Sequence, residues 1–223
     1  MTKKARRQAQ RPLSVRTVAR ADGSRALEVA NVTQSVSLPE NDATPLGGYW
    51  PMMLPERCPR RALLLGLGGG TLAAMLARRC PGVAIVGVEQ SADVLVVARS
   101  DFALDAVAGL EVAEADAFAW VDEHSTSEPG AYDLICLDLF NGGRLAPGAL
   151  ARPFLRQLAV LLHEGGTLAV NLMRTGRLPE QLHRLERVFI IEEQWRIRGN
   201  QVVHLRVPTG PTPDGDDGDN HAS

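Results

Sequence analysis

Apolar runs of strand length alternate with helical spacings through the middle of the chain. Residues 62–65 form a short apolar run, a glycine turn follows (Gly66, Gly68, Gly69, Gly70), 71–79 has a helical pattern, and 83–88 is a second strand closed by Glu89. Ser91 is placed to cap a helix reaching about Arg99, with Val94, Leu95 and Val97 turned to a sheet. Residues 110–113 read as a third strand, 118–123 as a short helix and 125–130 as a loop. The run YDLICL at 132–137 is apolar enough for a central strand and ends at Asp138. A loop over 142–147 precedes a helix that starts near Pro153, carries Leu155, Leu158, Leu161 and Leu162, and is ended by Gly165-Gly166. Strand 167–172, helix 178–185 and a hairpin of 188–191 with 201–207 around Gly199-Asn200 complete the series. This order predicts an α/β fold with a mostly parallel sheet and an antiparallel strand at or near its edge.

Ahead of that body, 14–37 alternates in short β-branched runs with a turn at Ala21-Asp22-Gly23-Ser24, which predicts a small antiparallel β region. Such a region is too small to fold alone, so it leans on the α/β body or on a second subunit, and a homodimer is one way to supply that support. Residues 39–59, with their prolines, Gly47-Gly48 and Tyr49-Trp50, suggest a loop and short helix able to cover a pocket.

The length of 223 residues suits one α/β domain with short appendages, divided as a basic arm (1–12), a β region (13–45), the main domain (46–207) and an acidic tail (208–223). The arm carries Lys3, Lys4, Arg6, Arg7 and Arg11 with no apolar run behind them, so it is expected to be disordered and not a secretory signal. The Pro-, Gly- and Asp-rich tail has the composition of a disordered segment. A formal net charge of -2 calls for neither nucleic acid nor an anionic membrane as partner, and no apolar stretch is long enough to cross a bilayer. Cys58, Cys80 and Cys136 show no ligand spacing, so they read as reduced thiols of a cytoplasmic protein without a metal site.

In an open α/β sheet, ligands sit beyond the carboxyl ends of the strands where strand order reverses. The glycines, Glu89, Asp116 and Asp138 stand at four consecutive strand ends. Glycines let the main chain approach a ligand, and an acid ending the second strand can accept hydrogen bonds from both hydroxyls of a ribose. Asp116 serves equally well as a helix cap. Asp138 is followed by a loop, Leu139-Phe140-Asn141-Gly142-Gly143, which weakens a capping role there.

These motifs, LGLGGG, VGVE, EADAF and YDLICLD in this order, resemble those of class I S-adenosylmethionine-dependent transferases. More narrowly, with Gln34-Ser35 closing the β region and 49–52 ahead of the first sheet strand, they resemble the spermidine synthase (polyamine aminopropyltransferase) family over about 15–207. The resemblance implies a Rossmann-like class I methyltransferase fold with a mostly parallel seven-stranded sheet. It implies S-adenosylmethionine or its decarboxylated form as co-substrate, with no metal, and a small-molecule acceptor. It places Glu89 on the ribose, Asp116 with Ala117 on the adenine, and Gly66, Gly68 and Gly70 near the sulfonium. Gln34 stands with these at the rim, Tyr49 and Asn141 on the acceptor side, and Asp138 where a proton is accepted or the attacking amine oriented.

Three positions depart from the family pattern. Gly69 replaces an aspartate, Asn141 a second aspartate, and Trp50-Pro51 a Gln-Glu pair. Because a diamine calls for anionic partners, these losses point to a less cationic acceptor. Methyl transfer to an unknown acceptor, or a non-catalytic domain of the same fold, are the alternatives. An NAD-dependent oxidoreductase would share the glycines and Glu89 but leave Asp116 and Asp138 without a role.

Overall fold

The computed structural model describes residues 14–40, 42, 44–45 and 47–209. The expected basic arm, and the acidic tail beyond Thr209, lie outside the described residues. Three strands, β1 (Val15–Ala19), β2 (Arg25–Val29) and β3 (Val32–Val36), form the N-terminal antiparallel sheet. Gly23 at φ +82° and the pair Ala30-Asn31, both at positive φ, make its two tight turns. The sheet does lean on the body of its own chain. Leu27 and Val29 pack on Val94, Val97 and Phe102, and the Thr17 hydroxyl donates to Asp101.

The main domain begins after a single helical turn (Trp50–Met53) with β4 (Arg61–Leu65), α1 (Thr71–Arg79), β5 (Ala84–Glu89), α2 (Ala92–Phe102), β6 (Leu110–Glu114), α3 (Ala117–Ser127) and β7 (Tyr132–Leu137). A small ribbon, β8 (Phe140–Asn141) with β9 (Arg144–Leu145), precedes α4 (Arg152–Leu161), β10 (Leu162–Met173), α5 (Leu178–Glu186), β11 (Ile190–Ile197) and β12 (Asn200–Arg206). The sheet order is β11-β12-β10-β7-β4-β5-β6. Five strands are parallel, and β12 runs antiparallel to its neighbours β10 and β11. This is the seven-stranded, mostly parallel, Rossmann-like methyltransferase fold.

Period-two alternation explains why the central strands read as unbroken apolar runs. Leu63, Leu65, Ile135 and Leu137 face the α3–α4–α5 layer, while Ala62, Leu64, Leu134 and Cys136 face the α1–α2 layer. Covered on both sides, all eight are at most 1% exposed. The chain leaves β4 towards β5 and β6, then returns on the other flank with β7. The carboxyl ends of β4 and β7 therefore border the crevice where strand order reverses.

Several local readings are corrected. The 125–130 stretch is helical as far as Ser127, and the hydroxyls of Ser125, Thr126 and Ser127 are satisfied within the helix by carbonyls three or four residues back. Gly165-Gly166 does not end α4. The pair lies in a bulge of β10 between Leu162 and Thr167, where a side chain on Gly166 would meet the His163 and Tyr132 carbonyls. The 142–147 loop contains the β8–β9 ribbon.

The expectation of three reduced thiols is also overturned, since Cys58 and Cys80 form a disulfide. Cys58 precedes β4 and Cys80 follows α1, and the strand-up, helix-down path brings both to one end of the domain. A separation of 22 residues hides this in the sequence. With it goes the cysteine argument for a reducing compartment. Cys136 is free and buried, and burial pushes its thiol up. Among the described residues, no helix is long and apolar enough to cross a membrane, and no cluster of three His, Cys, Asp or Glu could hold a metal ion.

Candidate active site

A cavity of about 440 Å³ opens at the crevice. The turn after β4 crosses towards β5, with Gly66 N and Leu67 N both donating to Val88 O. Gly66, at φ +89°, has the Asp138 carbonyl where a Cβ would stand, so only glycine lets the β4 and β7 ends approach this closely. Gly68 N then donates to Glu89 Oε2 at 3.0 Å, and Ser91 N to Oε1 at 3.0 Å. Glu89 is thereby fixed with each oxygen holding one backbone amide. Burial raises its pKa, and the amides of Ser91, Gly68 and Gln90 oppose that rise.

Asp116 takes the capping role and also faces the cavity. Its Oδ1 accepts from Phe118 N (2.9 Å) and Ala119 N (3.0 Å), capping α3, and the residue lies on the cavity wall beside Ala117. Gln34 and Asn141 also line the cavity, and Gln34 Nε2 reaches Gly142 O at 3.4 Å, linking β3 to the β8–β9 turn. Gly70 does not join them. It caps α1, with Leu104 where its side chain would be.

Asp138 has left β7 and lies between two donors from distant segments. The Tyr49 hydroxyl donates to Oδ2 at 2.7 Å, and Asn171 Nδ2 to Oδ1 at 2.9 Å. Burial raises the Asp138 pKa, opposed by the donors Asn171 and Tyr49. Burial, then the charge and hydrogen bond of Asp138, push the Tyr49 hydroxyl well above its ordinary value. Tyr49 stacks on Trp50 with ring centroids 4.9 Å apart.

Two of the departures from the polyamine pattern turn out to face elsewhere. Trp50 is 5% exposed and packs in the α1 layer, not on the cavity. A side chain on Gly69 would point at Ser35 and Phe102. Gly69 N donates to Ser35 Oγ at 2.7 Å, while Thr71 Oγ1 exchanges hydrogen bonds with the Val36 main chain, so β3 is fastened onto this turn. Neither residue therefore reports on the charge of the acceptor. Of the three departures, Asn141 is the one on the cavity wall.

Sequence reasoning missed Asn171 and Asn200. Asn171, 1% exposed, interrupts the apolar run LAVNLM of β10, and that isolated amide was the available signal. The carboxylates Glu89, Asp93, Asp116 and Asp138 line the cavity, with no Lys, Arg or His among the described lining residues.

Comparisons with known proteins bear on the fold and the family. The chain is 31% identical over 120 residues to a polyamine aminopropyltransferase of Vibrio vulnificus (strain CMCP6), covering 54% of this chain and 40% of that protein. It is 29% identical over 153 residues to a trans-aconitate 2-methyltransferase of Rhodopseudomonas palustris (strain HaA2), covering 69% and 53%. It thus spans about half or less of the length of the curated relatives it matches. A spermidine synthase solved in complex with the transition state analogue AdoDATO superposes with a TM-score of 0.67 over 86% of this chain and 69% of that one, at 15% identity, a likeness of fold. The methyltransferase small domain model matches residues 52–197, so the chain belongs to that family, a class I S-adenosylmethionine-dependent transferase domain.

Proposed function

We propose that the chain transfers an alkyl group from a sulfonium nucleoside, S-adenosylmethionine or its decarboxylated form, to an amine held against Asp138, as a spermidine synthase-like enzyme does. The observation that carries this reading is the Asp138 carboxyl, set between the Tyr49 and Asn171 donors beside the turn that would meet the nucleoside. The lining fits such a ligand. Glu89 has an amide on each oxygen and lone pairs left for a ribose, Asp116 and Ala117 stand where an adenine edge would lie, and four carboxylates without a lining cation suit a positively charged molecule.

When bound, the nucleoside supplies an electrophilic carbon: the amine lone pair forms the N–C bond as the C–S bond breaks and its electron pair leaves on a neutral thioether sulfur. The protein's part is to position the amine in line and to take up the proton released from nitrogen on the Asp138 carboxylate. Burial suits that carboxylate to its task by making it a stronger base than an exposed one. Tyr49 and Asn171 keep it pointed at the cavity, and Asn141 and Gln34 bound the acceptor side.

A second reading is methyl transfer, favoured by the family match and the trans-aconitate 2-methyltransferase relatives. The two are separated by their products. The full chain is incubated with each nucleoside and a set of amines, and the spent nucleoside is identified by mass. Methylthioadenosine from the decarboxylated form supports aminopropyl transfer, and S-adenosylhomocysteine supports methyl transfer. Binding of either nucleoside with no turnover for any acceptor would favour the non-catalytic alternative.

A further inference from the structure

Asp138 is one end of a row of polar side chains crossing three strands at the carboxyl edge of the sheet. Leu137 pairs with Val170, which brings Asp138 alongside Asn171, and across β10 and β12 Met173 pairs with Asn200. Residues 171 and 173 share one face of β10, the face Asn200 meets from β12. Asn200 Nδ2 donates to Asn171 Oδ1 at 2.9 Å and lies 3.5 Å from Met173 Sδ. Asn171 Nδ2 in turn donates to Asp138 Oδ1.

The two ends of a buried amide are nearly equal in shape, so hydrogen bonding alone decides which way it faces. Reversing Asn171 would set its carbonyl oxygen against Asp138 Oδ1, acceptor to acceptor. The same reversal would set its nitrogen against Asn200 Nδ2, donor to donor. The first clash disappears whenever Asp138 is protonated, because the acid then has a proton to give. The second persists at every pH while Asn200 keeps its nitrogen inward, as the acceptor Met173 Sδ beside it favours, and Asn200 is its source.

We propose that Asn200 is a positioning residue: by holding the Asn171 carbonyl it keeps the Asn171 nitrogen on Asp138, so that both oxygens of that acid face donors and the acid stands ready as an acceptor. The inference deepens the functional reading in which Asp138 accepts a proton. Its own content, however, is the orientation of one amide. The other titratable groups facing Asp138 are the Tyr49 hydroxyl, from the segment ahead of β4, and the Cys136 thiol on β7. Glu89, Asp93 and Asp116 share the cavity across from it. Asn200 hydrogen-bonds to Asn171 and Met173 and to none of these groups. Tyr49, which also interacts with Asn171, loses that partner equally in Asn171→Leu and in the double variant, so the Asn200 effect is compared within each background.

The test reads the carboxyl and not turnover, so it can fail while the functional reading stands, and the reverse. The Asp138 carboxyl carbon is followed by NMR against pH in the isotopically labelled full chain, in wild type, Asn200→Ala, Asn171→Leu and the double variant. Loss of a donor to the ionised form raises a carboxyl pKa. Asn200→Ala should therefore move the Asp138 midpoint upward in the wild-type background and leave it unmoved in the Asn171→Leu background. Equal displacement in both backgrounds, or none in the wild-type one, overturns the proposal. A second reading needs no change at Asn171: exchange of its side-chain amide protons with solvent should be about tenfold faster in Asn200→Ala. In Asn200→Ser, where a hydroxyl donor remains, exchange should return part of the way to wild type. Unchanged exchange in Asn200→Ala overturns the proposal even if Asn171→Leu does not fold.

Discussion

On the β5 side of the cavity, Glu89 is fixed by main-chain amides 21 and 2 residues away along the chain; on the β7 side, Asp138 is fixed by side chains 89 and 33 residues away. Both carboxyls are raised by burial, and both are steadied by donors, so their electrostatics are alike. Their construction is not. One arises from a single βαβ unit whose turn and strand end dictate the contact, and it needs nothing from the rest of the fold beyond a sheet to stand on. The other exists only once the segment ahead of β4, the end of β7, the carboxyl end of β10 and the amino end of β12 have met. A scaffold shared by many transferases can keep the first and vary the second, the side to which the proposed function assigns the acceptor.

The comparison breaks most sharply at Asp138. Asp138→Asn should lower turnover by about 10²- to 10⁴-fold while leaving nucleoside affinity unchanged by calorimetry. Unaltered turnover would remove this acid from the chemistry. The same variant tests the electrostatics. Burial holds the carboxyl above its ordinary range, so its contribution to stability is full in acid and is lost as pH rises through the raised value. Asn lacks that loss. Its melting temperature should equal or exceed wild type at neutral and alkaline pH, with the difference changing towards the acid side as wild-type Asp138 becomes protonated.

Glu89→Gln should do the converse. A Gln amide nitrogen would face Gly68 N or Ser91 N, donor to donor, so the side chain can no longer satisfy both amides. Nucleoside binding should weaken by about 10- to 100-fold, with turnover at saturating nucleoside within a few-fold of wild type. A loss confined to turnover would show that the two sides do not divide the work in this way.

The same division explains what was legible in the sequence. The parallel sheet, its antiparallel strand and the positions of Glu89, Asp116 and Asp138 follow from apolar periodicity and strand ends, which are local signals. Gly69 and Trp50 could be seen to differ from a family pattern, but the direction each faces depends on β3 and α1 packing, and it is away from the cavity. The Cys58–Cys80 bond and the Asn171–Asn200 pair are closed by tertiary pairing alone. The glycines at 165 and 166 look like a helix stop because a bulge and a helix end draw on the same residue.

The smallest effect should come from Tyr49, and its sign is the informative part. Tyr49→Phe removes the 2.7 Å donor to Asp138 Oδ2 and leaves the Asn171 bond in place. A donor to the ionised form lowers a carboxyl pKa, so its loss adds to the rise that burial already imposes. If Asp138 must be ionised to receive the proton, the acid limb of kcat/KM moves to higher pH. Turnover near neutrality should fall by about 3- to 10-fold and approach wild type as the solution is made alkaline. If Tyr49 instead acts by touching the acceptor, the same substitution lowers kcat/KM by one factor at every pH. A pH profile of this single variant therefore distinguishes a tyrosine that serves the acid from one that serves the substrate.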